Sequence, residues 1–201
     1  LFTPDEWREA WVRTGKPLLL RALIAEAQAQ VAQYGLGISF DVANEIVQNW
    51  LADRLRFWAT RTNEETAKLL MAELQEAAQL GESIKAIQLR VEKVFNFSSV
   101  VRSERIARTE MQSAMNRGAL EAYRQSHVVP EKMWLSTIDF RTRDAHVEAH
   151  RQVVPLDAKF LVGGEEVDGP GDGSAGQVIN CRCVLAPVIG KAARVGNKQG
   201  S

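Results

Sequence analysis

WLSTIDFRTRDAH (Trp134–His146) opens, and INCRC (Ile179–Cys183) closes, the segment that holds nearly every chemically unusual residue of this chain. Asp139, Arg141, Arg143, His146 and His150 crowd its first part, and the only two cysteines, Cys181 and Cys183, end it. Glycine-rich, turn-forming sequence lies between. Upstream, the chain reads as ordinary amphipathic helix, so the helices are a frame around this segment. The fold class that follows is α+β: a mainly helical N-terminal bundle or arm over residues 1–97, then a domain over 98–189 with one long helix and a small antiparallel β unit, then a flexible tail over 190–201.

Inside the segment, Met133–Ile138 is short, β-leaning and bounded by turn signals, which predicts a strand. Asp139–Arg151 is polar and reads as a loop followed by one or two helical turns. Lys159–Val162 and Glu165–Val167 flank Gly163-Gly164 as a hairpin would. The run GPGDGSAG (169–176) predicts loop. Cys183–Ile189 reads as a closing strand, and Pro187 puts it at a sheet edge.

Working back toward the N-terminus, Thr3-Pro4-Asp5-Glu6 is a capping box, and Gly15 with Pro17 predicts a break or kink. From Pro17 to Tyr34, Leu20, Leu23, Ile24, Ala27 and Val31 fall three or four apart, the period of a one-sided buried helix, and Gly35 and Gly37 end it. Asp41 is placed to cap a second helix carrying Ile46, Val47, Trp50, Leu51, Leu55 and Trp58. Thr62–Glu65 repeats the capping box for a third, which Gly81 stops. Ser83 opens a shorter helix through Val94. A fifth runs from Ser98 or Ser99 to about Ser126, with Val101, Ile106, Met111, Ala114, Ala119, Leu120 and Tyr123 as its apolar stripe.

Composition narrows the function classes. A 201-residue chain buries about 70% of its unfolded surface, enough for a core without staples. Twenty-five Lys+Arg balance 25 Asp+Glu, which argues against a protein whose main task is coating nucleic acid. No apolar run is long enough to cross a bilayer, and LFTPDEW lacks a signal-peptide layout, so no membrane partner is expected. A first residue that is Leu reads as a fragment or a processed product. Arg102, Arg105, Arg108, Arg117 and Arg124 alternate with Glu104, Glu110 and Glu121, the pattern of a solvated, salt-bridged helix face. Surplus aromatic and leucine surface on long helices argues for self-association or a protein partner.

Two clusters could carry chemistry. Cys181 and Cys183 are separated by one residue, a ring too small and strained for a structural disulfide, yet a turn could converge both thiols on one ion. With His146 they form a borderline-soft set of the kind zinc takes, in a structural role; His150, four residues from His146, would share a helix face with it. The plainer reading makes the cysteines small buried apolar side chains and the histidines surface groups. Asp139, directly after a strand, can take hydrogen bonds from its own turn, and Arg141 or Arg143 can form a bidentate pair with it. A phosphate or carboxylate clamp would need a visible nucleophile or phosphate loop, and neither is present. Asn180 is expected to fix a turn through its amide.

The order RIARTE (Arg105–Glu110), Asn116, Trp134, DFRTR-x-x-H (Asp139–His146), Val154-Pro155 and INCRC resembles the phage Mu F-like family of head-morphogenesis proteins, over about residues 98–188. The motif positions are Arg108, Thr109, Glu110, Asn116, Trp134, Asp139, Arg141, Thr142, Arg143, His146, Asn180, Cys181 and Cys183. Members often carry a Gly shortly after the His; here that place reads EAHRQVV, without one. The resemblance implies a minor capsid protein, without enzymatic activity, incorporated in few copies near the portal vertex. It implies as partners the portal protein and other capsid or scaffold proteins, in some members DNA, and as location the procapsid interior, with host cytoplasm during assembly. The alternative class is an enzyme: a metal-dependent hydrolase on Asp139, His146 and the cysteines, or an ADP-ribosyltransferase-like fold with Ser136-Thr137 and Glu165-Glu166, which lacks a matching arginine strand.

Overall fold

The computed structural model describes residues 4–57 and 84–189, together with positions 72, 76, 79 and 80. The expectations for Thr3, Trp58, the Thr62–Glu65 capping box, Gly81, Ser83 and the tail from residue 190 lie outside the described residues. So do those for the side chains of Val101, Arg102 and Glu104.

Helix α1 (Pro4–Tyr34) runs through both Gly15 and Pro17. Of the break or kink predicted there, a break does not occur, although an interior Pro costs a helix roughly 3 kcal/mol; burial of Leu19, Ala22, Leu23 and Ala27 just beyond it outweighs that local penalty. The helix ends where glycine predicts. Gly35 takes φ 60°, and the Leu36 amide donates to Val31 O at 3.0 Å, a Schellman closure that turns Leu36 into the core. Helix α2 is described over residues 45–57. Its cap is Asn44, whose Oδ1 accepts from Ile46 N at 2.9 Å, and not Asp41, whose Oδ1 is taken by Ala43 N. The two helices predicted over 83–126 are one, α3 (Ile84–Ser126).

The chain divides into two compact units that do not follow chain order: residues 1–17 with 49–107, and 18–48 with 108–201. Residues 18–48, expected in the N-terminal helical region, therefore share a core with the C-terminal domain.

In that second unit the elements after α3 are β1 (Glu131–Leu135), α4 (Asp144–Glu148), β2 (Val153–Pro155), β3 (Phe160–Val162), β4 (Glu165–Val167), α5 (Ala175–Val178) and β5 (Val184–Val188). The sheet order is β2-β1-β5, both pairings antiparallel, and β3 with β4 forms a separate hairpin. Strand β1 starts and ends earlier than predicted, β2 was unanticipated, and the last turn of the glycine run is helical in α5. Pro187 sits on edge strand β5, where its missing N–H leaves no central ladder broken.

The core gathers Ala27, Leu36, Leu120, Tyr123, Trp134, Phe160, Val162, Val167, Cys183 and Leu185. Helices α1 and α3 touch closely because Gly118 has no side chain: a Cβ there would stand 2.2 Å from the Leu23 carbonyl oxygen. Tyr123 crosses the same contact, donating its hydroxyl to Gln30 Oε1 at 2.5 Å.

A buried cysteine-histidine cluster behind a pinned turn

The face α3 turns to the C-terminal segment is polar. Met111, placed by periodicity in its stripe, is 39% exposed, whereas Thr109, Ser113 and Asn116 are buried. The reason lies in β5, whose outer edge has no neighbouring strand. Buried backbone groups need partners, and side chains of α3 supply them. Asn116 Oδ1 accepts from Leu185 N at 2.9 Å, its Nδ2 donates to Cys183 O at 3.0 Å, and Gln112 Nε2 donates to the same oxygen at 2.9 Å. Thr109 Oγ1 accepts the Asn180 amide at 3.1 Å. Asn180 adopts φ 56°, so its part in the turn is played by the backbone.

The DFRTR turn meets this segment from the other side. Asp139 Oδ1 accepts from Arg141 N at 2.9 Å, an Asx turn. Its bidentate arginine, however, is Arg182, with both Nη–Oδ distances 2.6 Å. Arg141 is 66% exposed and 3.9 Å away, and Arg143 instead donates to Ile179 O at 2.6 Å. The Thr142 hydroxyl bridges to Thr137 O, and Thr137 Oγ1 donates to Arg182 O at 3.3 Å. The Arg182 guanidinium, followed by the Arg141 amide, holds the Asp139 carboxyl well below the usual carboxylate range. Arg182 was missed, although it stands between the two cysteines in the sequence.

Beneath the turn lie His146, Cys181 and Cys183, all buried, both cysteines free. Among the described residues they form the one group of three metal-ligating side chains whose donor atoms all lie within 4.8 Å of one another. His146 Nδ1 is 3.3 Å from Cys183 Sγ and 3.7 Å from Cys181 Sγ. The Cys183 amide points at Cys181 Sγ at 3.5 Å, so a turn and not an extended strand converges the thiols. Hydrogen bonding from Cys181 holds the Cys183 thiol low, assisted by His146 and Ser136; the same contact, with burial, pushes Cys181 up.

Helix α4 positions the histidine. Trp134 stacks edge-on against its ring with centroids 5.4 Å apart and donates Nε1 to Ser136 Oγ at 3.0 Å, and that hydroxyl donates to His146 O at 2.5 Å. His146 Nε2 lies 3.0 Å from Gln177 Oε1. His150 falls beyond α4, and its Nδ1 accepts from Ser136 N at 3.1 Å, away from the cluster. Of the other motif residues, Glu110 is buried and Arg108 exposed on α3. Glu165 accepts from Ser174 N and Oγ at 2.7 and 2.6 Å, closing the loop before α5. A cleft of about 10 Å³, lined by Thr137, Arg141, Arg143, His146, Cys181 and Arg182 among others, opens above the cluster, near the size one water needs.

A long helix clamping a small antiparallel sheet, with a pinned arginine-rich turn over a buried Cys-His cluster, defines a compact α+β domain organised around its C-terminal strand. The family described as Phage Mu protein F like protein matches residues 68–186, more than half the chain, and the chain belongs to that family of structural phage proteins. This makes it a phage head-related protein. It is similar to the uncharacterized protein YqbB of Bacillus subtilis strain 168, 26% identical over 195 residues, which cover 94% of this chain and 64% of that protein. No solved structure matches significantly. Among the described residues no helix is long and apolar enough to cross a membrane.

Proposed function

We propose that this chain is a minor capsid protein acting in head morphogenesis: it enters the procapsid near the portal vertex, self-associates, contacts portal and scaffold proteins, and assists DNA packaging or release. Beyond the family, one observation carries this reading. Phe140 is 95% exposed at the crown of the DFRTR turn, with Ile138 56% exposed beside it, while the backbone under them is tied by Asp139, Thr142 and Arg182. A rigidly held, unburied aromatic side chain is what a docking contact uses, because little entropy is lost when it seats.

The test is incorporation into procapsids assembled in cells from the portal, scaffold and major capsid proteins of the same phage or prophage. The wild-type chain should sediment with them at low copy number. Phe140→Ser should reduce incorporation at least tenfold while melting unchanged. Full incorporation of the variant would refute the docking role, and a chain that never accompanies head particles would refute the function.

A further inference from the structure

The geometry points to a zinc site formed by Cys181, Cys183 and His146 Nδ1, its fourth position facing the cleft under Arg141, Arg143 and Arg182. This assignment does not rest on the proposed function. Bond lengths of about 2.3 Å to sulfur and about 2.05 Å to nitrogen, set at a tetrahedral angle, separate S and N donors by about 3.6 Å. The observed separations, 3.3 and 3.7 Å, bracket that value, and all three donor atoms lie within 4.8 Å of one another. Two thiols and an imidazole suit zinc better than hard cations such as magnesium or calcium.

A second observation concerns the tautomer. A histidine that ligates through Nδ1 must carry its proton on Nε2, and metal-binding histidines usually hold that proton on a fixed acceptor. Here the acceptor is Gln177 Oε1, at 3.0 Å. Gln177 lies beside the Glu165 carboxyl, which Ser174 first and Gln177 last hold below the usual carboxylate range. Glu165 is itself held by Ser174. With its Nε2 proton on Gln177 Oε1, His146 presents the Nδ1 lone pair to the two sulfurs. Gly163 makes room for Gln177: a Cβ there would lie 2.4 Å from Gln177 Nε2, and its φ of 58° disfavours any side chain.

Zinc takes both cysteines as thiolates, each thiol proton still present passing to solvent, and the result is a neutral group of Zn²⁺ with two thiolates and one imidazole. The fourth ligand is a water in the cleft. Such a site would staple the strand after Cys183 to α4, joining segments 35 residues apart in sequence.

The test uses the full chain, purified reduced from zinc-supplemented cells. We expect one zinc per chain after desalting, and cobalt substitution giving thiolate-to-metal charge transfer in the near ultraviolet with tetrahedral bands in the visible. The double variant Cys181→Ser/Cys183→Ser should lose both. Because that variant could fold poorly, Gln177→Leu keeps all three ligands and should retain the cobalt spectrum at saturation while binding zinc about 10- to 100-fold more weakly in competition with a chelating dye. Absence of stoichiometric zinc and of a sulfur-cobalt band in the folded wild type would overturn the site. So would a Cys181–Cys183 disulfide in freshly purified protein, or equal metal uptake by the double variant. Unchanged affinity in Gln177→Leu would overturn the part given to Gln177.

Discussion

Replacing Asn116 by Ala removes two hydrogen bonds from the start of β5 and leaves space for nothing else to make them. Trp134 directs its own backbone groups toward Gln152 and Arg151, so the Leu185 amide opposite it faces α3, where Asn116 Oδ1 receives it. A buried donor left without a partner costs about 1–3 kcal/mol. Cys183 O keeps its bond from Gln112, so the second loss is a net hydrogen bond of about 0.5–1.5 kcal/mol. The sum centres near 3 kcal/mol, and at about 2–4 °C per kcal/mol for a chain of this size the melting point should fall roughly 10 °C. Calorimetry would give the shift, and amide exchange of peptides covering 183–189 would place it, because Leu185 N–H should lose protection. The variant Asn116→Asp sharpens the argument. At neutral pH its carboxylate would still accept from Leu185 but would face Cys183 O, so it should be about as damaging as Ala. In acid, once the carboxyl is protonated and can donate, the deficit relative to wild type should shrink. A melting point within about 2 °C of wild type for Asn116→Ala, with protection of 183–189 retained, would refute the claim that α3 completes the edge of β5.

Three further outcomes follow from single contacts. Asp139 has a carboxyl held low by Arg182, so its contribution to stability is present above about pH 4 and is lost as pH falls through its depressed folded value; Asp139→Asn should flatten the acid limb of the stability profile, and Arg182→Lys should not restore it, since one ammonium cannot match the bidentate pair. Lys132 is fully buried, donating to Asp168 O, and burial pushes its pKa down to about 8. The folded chain therefore sheds that proton first, and between about pH 8 and 10.4 the unfolded chain binds more protons, so urea midpoints should rise with pH there and the rise should vanish in Lys132→Met. Gly118→Ala would drive a methyl against the Leu23 carbonyl, a backbone atom that cannot rotate away, and should destabilise by about 1–3 kcal/mol or more in urea unfolding; a neutral result would mean that α1 and α3 separate freely.

Much of the architecture is legible in residue order. The 3.6-residue stripe of α1, its glycine stop at Gly35, the β3–β4 hairpin about Gly163-Gly164 and the edge position of the Pro187 strand all depend on local preferences that neighbouring residues cannot hide. Local signals mislead before Ser98, where one helix spans Ile84–Ser126, and a break at Pro17 is overridden by the buried residues Leu19, Ala22, Leu23 and Ala27 beyond it. They failed again at Met111, because a helix face that completes a strand edge must be polar, and apolar periodicity then points to the wrong side.

What the sequence by itself determined is the α+β division, the family, and the candidate set of Asp139, His146, Cys181 and Cys183, because these rest on residue type and local spacing. Only the tertiary structure decided that Arg182 and not Arg141 or Arg143 holds Asp139, that His150 serves Ser136, that Gln177 orients His146, and that Asn116 completes β5. Each of those pairings joins residues from different elements, and no local periodicity encodes a distance that exists only after the chain has folded back on itself.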